Sequence, residues 1–361
     1  MAPSAAPHQQ IRFVRSSDAV RLAYASSGIG EPVLIKAATW LSHLEVDWDS
    51  PVWRHVLRAM STRGTFVRYD ERGCGLSDWV VPDLGFDSWV RDLELVVDAV
   101  GAERFALLGI SQGAAVAIAY AVRHPERVTH LVLHGGYARG RLVRANTAQA
   151  RDEAETMCHL AELGWGKADP SFRQFFTTQF IPGGTPEQHQ WFNEMERIST
   201  SPENAAQFMR EFNTIDVTAL LSQVQCPTLV LHSKNDVRVP FEEGRLIATG
   251  IPQAQFVPID SGNHLLLETE PGWQRWLDAV NDFLPRPPSL VRPAAFAALS
   301  QRQMEVLQLM AQGRDNSQIA AVLGLSEKTV RNQVSAVFDR LGVENRSQAI
   351  VAAREAGLGG R

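Results

Sequence analysis

The feature that most constrains this chain is a rhythm. Short, β-branched, nearly continuous apolar runs are separated by stretches of helical periodicity. Residues 11–16, 20–26, 32–36, 65–69, 104–110, 128–134, 228–232 and 255–259 have strand composition. Residues 86–100, 112–124, 242–250 and 271–283 carry helical patterns between them. Strands that are apolar without alternation must be buried on both faces, as happens when helices cross over between parallel neighbours. The expectation is a mostly parallel sheet covered on both sides, with the first two runs as an antiparallel hairpin at one edge. One interval breaks the rhythm. Between His134 and Thr228 no strand is expected, but helices at 147–163, 172–180, 186–198 and 202–212 are, which implies a helical lid over about 138–224.

Pro285, Pro287, Pro288 and Pro293 crowd one short stretch. Proline at that density blocks helix and central strand and favours extended chain. The division expected is a first domain at 1–284, a linker at 285–297 and a second domain at 298–361, consistent with 361 residues. The three cysteines, Cys74, Cys158 and Cys226, form no C-x-x-C pair, so neither a disulfide framework nor a zinc site is expected and a reducing cytoplasm fits. The N-terminus has no basic flank before an apolar core, and no apolar run reaches about 18 residues, so a cytoplasmic protein without membrane contact is expected. The net charge of −5 is uneven: residues 289–361 hold nine Lys/Arg and six Asp/Glu, a net +3 that leaves −8 for the rest. A basic tail on an acidic body suits a chain that meets phosphate at one end, although +3 also suits a solvated helical face.

Gly109-Ile-Ser111-Gln-Gly113 closes the strand-like R-F-A-L-L-G and opens an Ala-rich helical stretch. A bare G-x-S-x-G can be a glycine-rich turn. Between a strand and a helix it is a nucleophile elbow, which lifts the serine onto a tight turn at a helix N-terminus. Asp236 follows the run T-L-V-L-H, and His264 follows F-V-P-I-D, so serine, carboxylate and imidazole each lie beyond a strand end in that order. In such a set His264 takes the Ser111 proton and Asp236 fixes the imidazole tautomer. No metal cluster, phosphate-binding glycine loop or dinucleotide fingerprint is evident, so the expected chemistry needs no cofactor. Asp70 and Arg72 in D-E-R-G-C-G read best as a brace for a glycine-rich loop, and His43 and His134 as structural histidines. Trp165, Phe172, Phe175, Phe176, Phe180, Trp191 and Phe192 crowd the helical interval. Most should be its core, with Trp40, Trp165, Phe176, Phe180 and Trp191 forming an apolar wall above Ser111.

With A-T-W-L-S-H-L-E (38–45), Y-D-E-R-G-C-G-L-S-D (69–78), G-I-S-Q-G-A-A (109–115) and G-N-H-L-L-L-E (262–268), residues 11–284 resemble the α/β-hydrolase superfamily. More narrowly, they resemble its ester-hydrolase-like branch, often joined to a regulatory output domain. It implies the α/β-hydrolase fold and an oxyanion hole with the Gln112 N–H as one donor. Many such enzymes have His-Gly after the third strand to supply a second. Here the sequence is Lys36-Ala-Ala-Thr39-Trp40, so the backbone of Thr39 or Trp40 would have to serve.

The tail reads as four helices. One is capped by Ser300 and stopped by Gly313, a short one covers 316–323, a third follows the turn Gly324-Leu-Ser326 to about Arg340, and a fourth spans 347–356. In the third, Val330, Val334, Val337 and Leu341 make a buried stripe. Lys328, Thr329, Arg331, Asn332, Gln333 and Ser335 offer chemistry suited to a major groove. The alternative is a solvated polar face on an ordinary bundle. L-S-x-R-x-x-E-V-L-x-L, N-S-Q-I-A-A-V-L-G-L-S-E-K-T-V-R-N and L-G-V-E-N-R-S-Q-A resemble the LuxR-type helix-turn-helix, with Gln303 and Gln333 departing from its usual pattern. The resemblance implies binding to double-stranded DNA and homodimers through the fourth helix, with Ala349, Ile350 and Ala353 meeting the partner. The expected function is a transcription regulator controlled by a small, largely apolar ester, lactone or amide at the hydrolase site. The alternative is a serine esterase whose tail serves targeting or dimerisation.

Overall fold

A computed structural model describes residues 8–285, 296, 298–355 and 358. The linker expected at 285–297 lies almost wholly outside the described residues, as does Ala356. The chain divides into two compact units, Met1–Pro285 and Arg286–Arg361.

The first unit is built on an eight-stranded sheet in the order β1-β2-β4-β3-β5-β6-β7-β8. The strands are β1 (Gln10–Arg15), β2 (Arg21–Ser27), β3 (Val33–Lys36), β4 (Thr65–Tyr69), β5 (Phe105–Ile110), β6 (Val128–His134), β7 (Thr228–Ser233) and β8 (Gln255–Ile259). β1 and β2 form the antiparallel edge hairpin, β2 meets β4 antiparallel, and every later pairing is parallel. All six residues of β5 and of β7 are buried. Successive side chains on a strand point to opposite faces, so this burial means that both faces are covered. The expected strands thus stand where the apolar runs placed them.

Helices α1 (Leu44–Trp48), α2 (Arg54–Ser61), α3 (Phe86–Val100), and α4 (Gln112–Arg123) follow in chain order. Between β6 and β7 come α5 (Arg141–Arg144), α6 (Ala148–Gly164), α7 (Ser171–Phe180), α8 (Pro186–Ser199), α9 (Pro202–Thr214) and a 3-10 turn, Thr218–Gln223. α10 (Phe241–Gly250) and α11 (Pro271–Phe283) close the unit. α6, α8 and α9 each start at a Thr or Ser whose hydroxyl accepts a backbone N–H of the first turn, with proline in the first turn of the last two. The short α1, α2 and α5 have no sequence counterpart above. They are too brief for periodicity to register.

The second unit holds α12 (Gln301–Ala311), α13 (Asn316–Leu323), α14 (Glu327–Leu341) and α15 (Arg346–Glu355). Its core gathers Val306, Leu307, Met310, Ile319, Val330, Val334 and Val337 with Ala349 and Ala353. Ser300 and Asp315 close reciprocal capping boxes with Gln303 and Gln318, and Gly324 and Gly342 end their helices in the left-handed region.

Candidate active site and nucleic-acid interface

Ser111, Asp236 and His264 follow β5, β7 and β8, which run parallel, so the topology brings all three to the carboxyl end of the sheet. Ser111 stands between β5 and α4 at φ 54° and ψ −125°, a left-handed conformation that costs a non-glycine residue about 1–3 kcal/mol. The flanking glycines permit it. A Cβ on Gly109 would lie 2.7 Å from Ala114 Cα, and one on Gly113 would lie 2.5 Å from Ala38 O. The Ser111 N–H donates to His134 O at 2.9 Å, which pins the turn to β6.

His264 Nδ1–H donates to Asp236 Oδ2 at 2.7 Å, and Asp236 Oδ1 accepts the N–H groups of Arg238 and Val239 at 2.8 and 2.9 Å. Burial pushes the Asp236 carboxyl up. The His264 ring and these N–H groups more than offset it, holding the carboxyl below its ordinary range. Both side chains are sealed from solvent. His264 Nε2 is buried with no hydrogen-bond partner. The Gly135-Gly136 turn runs close to both residues: a Cβ on Gly135 would meet His264 Cε1 at 3.0 Å, and one on Gly136 would meet the Ser111 backbone O at 3.6 Å. The carboxylate–imidazole half of the expected set is bonded, whereas Ser111 and His264 share no hydrogen bond. Such bonds are often long before a substrate binds and tighten with it.

His134 Nε2–H donates to His264 O at 3.1 Å. Burial, with the His264 and His232 rings, lowers its pKa to about 3, so it stays neutral and fixes backbone. Asp70 accepts the N–H groups of Leu44 and Leu76 at 3.1 and 2.8 Å, and Arg72 forks onto Asp92 at 2.7 and 2.6 Å. Both are braces. His43 caps α1.

The expected oxyanion donors differ in state. Gln112 is the first residue of α4, so the helix leaves its N–H unused. The Trp40 N–H instead donates to Gln112 Oε1 at 3.2 Å, and the Thr39 hydroxyl donates to Ile110 O at 3.0 Å. Gln112 Nε2 in turn donates to Glu71 Oε1 at 2.7 Å. Burial pushes the Glu71 carboxyl up to about 8, against the lowering effect of Gln112. Nothing in the sequence pattern singled out Glu71.

A cavity of about 50 Å³ opens at Ser111 and Gln112. Of the expected wall, Trp40 and Phe180 line it. Trp165, Phe176 and Trp191 do not. Trp165 stacks behind Trp40 at 5.1 Å with Phe176 packed on it at 5.4 Å, and Trp191 lies against Phe192. Met157, Met209 and Phe212, from α6 and α9, take their place. The expectation of a largely apolar pocket also needs correction, because Arg141, Arg144 and Arg238 line the same space. Nothing in the sequence pattern assigned these three arginines a role.

In the second unit, Lys328, Thr329, Arg331, Asn332 and Ser335 are exposed on α14 while Gln333 is half-buried. Lys328, Arg331 and Asn332 make no side-chain hydrogen bond or ion pair among the described residues. Gln303 is a cap: its Oε1 accepts the Ser300 N–H at 2.9 Å and Arg340 Nη1–H at 2.7 Å. The departure from the usual residue therefore falls at a helix cap. The dimer contact expected at Ala349 and Ala353 is not available, because both are fully buried within their own unit. Val351, 55% exposed, is the apolar residue that α15 turns outward.

Among the described residues no helix is long and apolar enough to cross a membrane, and no group of three or more His, Cys, Asp or Glu is placed to hold a metal ion.

Residues 42–271 match the family model for the alpha/beta hydrolase fold, and residues 297–353 match that for bacterial regulatory proteins of the luxR family. The chain is 25% identical over 265 residues to a putative carbamate hydrolase, RutD, of Azorhizobium caulinodans, covering 73% of this chain and 93% of that protein. It is 25% identical over 259 residues to the AB hydrolase superfamily protein YisY of Bacillus subtilis, covering 70% and 91%. Among solved structures, a hydrolase from Pseudomonas aeruginosa superposes with a TM-score of 0.62 at 25% identity, over 76% of this chain and 98% of that one. An esterase from Exiguobacterium antarcticum gives 0.64 at 19% identity, over 76% and 99%, a likeness of fold. The strand order, the serine elbow and both family matches agree: the chain belongs to the α/β-hydrolase fold family and carries a C-terminal DNA-binding domain of the LuxR family.

Proposed function

We propose that this protein is a transcription regulator whose hydrolase domain binds and hydrolyses a small ester, lactone or amide, and whose DNA binding responds to that ligand. Ser111 attacks the acyl carbon, His264 Nε2 takes the serine proton and returns it to the leaving group, and Asp236 holds the imidazole in the required tautomer. The Gln112 N–H meets the developing oxyanion, and the Trp40 N–H joins it once Gln112 Oε1 yields. The relatives named as carbamate hydrolase and hydrolase support acyl transfer at this site. The observation that carries the reading is the buried Asp236–His264 pair with its Nε2 unpartnered, together with Ser111 on its strained elbow at the same end of the sheet.

In the second unit, Lys328, Arg331 and Asn332 enter the major groove, with Thr329, Gln333 and Ser335 at its phosphates and edges. Ligand control requires that the ligand favour one arrangement of the chain over another. We place the protein in the cytoplasm, as a homodimer on two half-sites.

One observation favours a second reading, in which the site binds without turnover: the Trp40 N–H is already engaged by Gln112. Short p-nitrophenyl esters separate the two. Turnover that is lost in Ser111→Ala supports hydrolysis; equal rates in both proteins leave the receptor. For the tail, DNA affinity against salt is the test. Lys328→Ala with Arg331→Ala removes four cations from a bound homodimer and should flatten the slope of log K against log salt by about 4. An unchanged slope would remove this helix from the interface.

A further inference from the structure

The cavity beside Ser111 is bordered by three guanidinium groups, Arg141, Arg144 and Arg238, and by no carboxylate. The neighbouring carboxylates are engaged elsewhere. Glu243 is bonded to Arg139 at 2.6 Å, and Asp236 to His264 at 2.7 Å. Among the described residues none of the three arginines makes an ion pair. Arg238 Nη1–H reaches only the neutral Gln179 Oε1 at 3.2 Å and lies over the Phe180 ring at 5.1 Å. Arg144 donates to Arg139 O at 2.8 Å and sits over Tyr137. Arg141 has no side-chain partner among the described residues.

A cationic cluster without a counter-charge is costly beside a small, half-closed cavity. Burial lowers the Arg238 pKa to about 10, and the Arg141 and Arg144 charges push it the same way against the raising effect of Tyr137 and Asp236. Guanidinium groups match the planar geometry of oxyanions and bind them by paired, charge-assisted hydrogen bonds. The cavity is small, about 50 Å³, where a single water needs roughly 10–15 Å³. A short acyl chain with one charged end suits that space.

Building on the reading of Ser111 above, we propose that the site takes a short ester, lactone or amide bearing an anionic group, carboxylate or phosphate, held by Arg141, Arg144 and Arg238.

The test is calorimetric titration of the full-length Ser111→Ala protein with monoethyl succinate, with the neutral diethyl succinate, and with inorganic phosphate. Monoethyl succinate should bind at least about tenfold tighter than the diester, the value of one charge-assisted hydrogen bond. Arg141→Gln in the same background should erase most of that preference, and it breaks no bond seen in the fold. Tighter binding of phosphate than of the monoester would keep the anion site and assign it to phosphate. Equal binding of the two esters, preference for the diester, or no binding of any probe would overturn the proposal. Turnover of p-nitrophenyl acetate by the unaltered protein is read separately. Charge-selective binding without turnover would sink the hydrolytic reading alone, and turnover without charge selectivity would sink this one alone.

Discussion

Replacing Asp236 with asparagine isolates one atom's role. Oδ1 accepts two backbone N–H groups, from Arg238 and Val239, and an amide oxygen can keep both. Oδ2 accepts the His264 Nδ1–H at 2.7 Å, and there the substitution puts an NH2 donor. Two donors cannot share that contact, so the imidazole must present bare Nδ1 to the amide and carry its proton on Nε2. In that tautomer it cannot take the serine proton. The loss expected in kcat/KM is about 10⁴-fold, or about 5 kcal/mol of transition-state stabilisation. The cost to folding should be smaller, about 1.5–3 kcal/mol for a charge-assisted hydrogen bond. Hydrolysis of p-nitrophenyl acetate and urea unfolding, measured on the same preparations, separate the two effects. A fall in kcat/KM below about tenfold, in a protein that still folds, would refute the tautomer argument.

Ser111→Gly should unfold at higher urea than Ser111→Ala, by about 1 kcal/mol, because glycine relieves the left-handed strain that alanine keeps; the reverse order would deny the strain. Glu71, raised to about 8 by burial, is protonated in the native protein, so it contributes stability that is full below its ordinary pKa of 4.5 and is lost as pH rises through 8. Unfolding free energy should therefore fall more steeply between pH 5 and 9, roughly that window, in the unaltered protein than in Glu71→Gln, and parallel curves would contradict it. Gln303→Glu should stabilise the C-terminal unit by about 0.5–1 kcal/mol, through the helix dipole and Arg340, with no change in the DNA sequence footprinted. A shifted footprint would place Gln303 at the interface.

Much of this fold was legible because its signals are local. The apolar runs that became β5 and β7 could be buried on both faces only in a covered parallel sheet, and the serine elbow needs just five residues and its flanks. Asp236 and His264 were legible from their place beyond strand ends. The pocket was not. Trp165 and Phe176 looked like wall residues, yet helix periodicity says which residues share a face, not which face meets the cavity. Trp165 consequently lies one layer behind Trp40. The arginines were missed for a related reason: Arg141 and Arg144 sit three apart on a helix of four residues, and Arg238 follows the Asp236 turn. Only their convergence on one cavity, without a carboxylate, gives them meaning. Ala349 and Ala353 show the converse. Small residues on a terminal helix suit a partner or a neighbouring helix equally well, and here α12 covers them.

The proposed coupling between occupancy at Ser111 and DNA binding within one chain can be measured directly. The protein is phosphonylated with a fluorophosphonate, the serine oxygen displacing fluoride from phosphorus; mass spectrometry confirms modification at Ser111, and its Kd for a duplex selected from a random library is compared with that of the unmodified protein. Coupling of about 1–3 kcal/mol predicts a change of roughly five- to 150-fold in Kd. Equal affinities in the fully phosphonylated and unmodified proteins would contradict it.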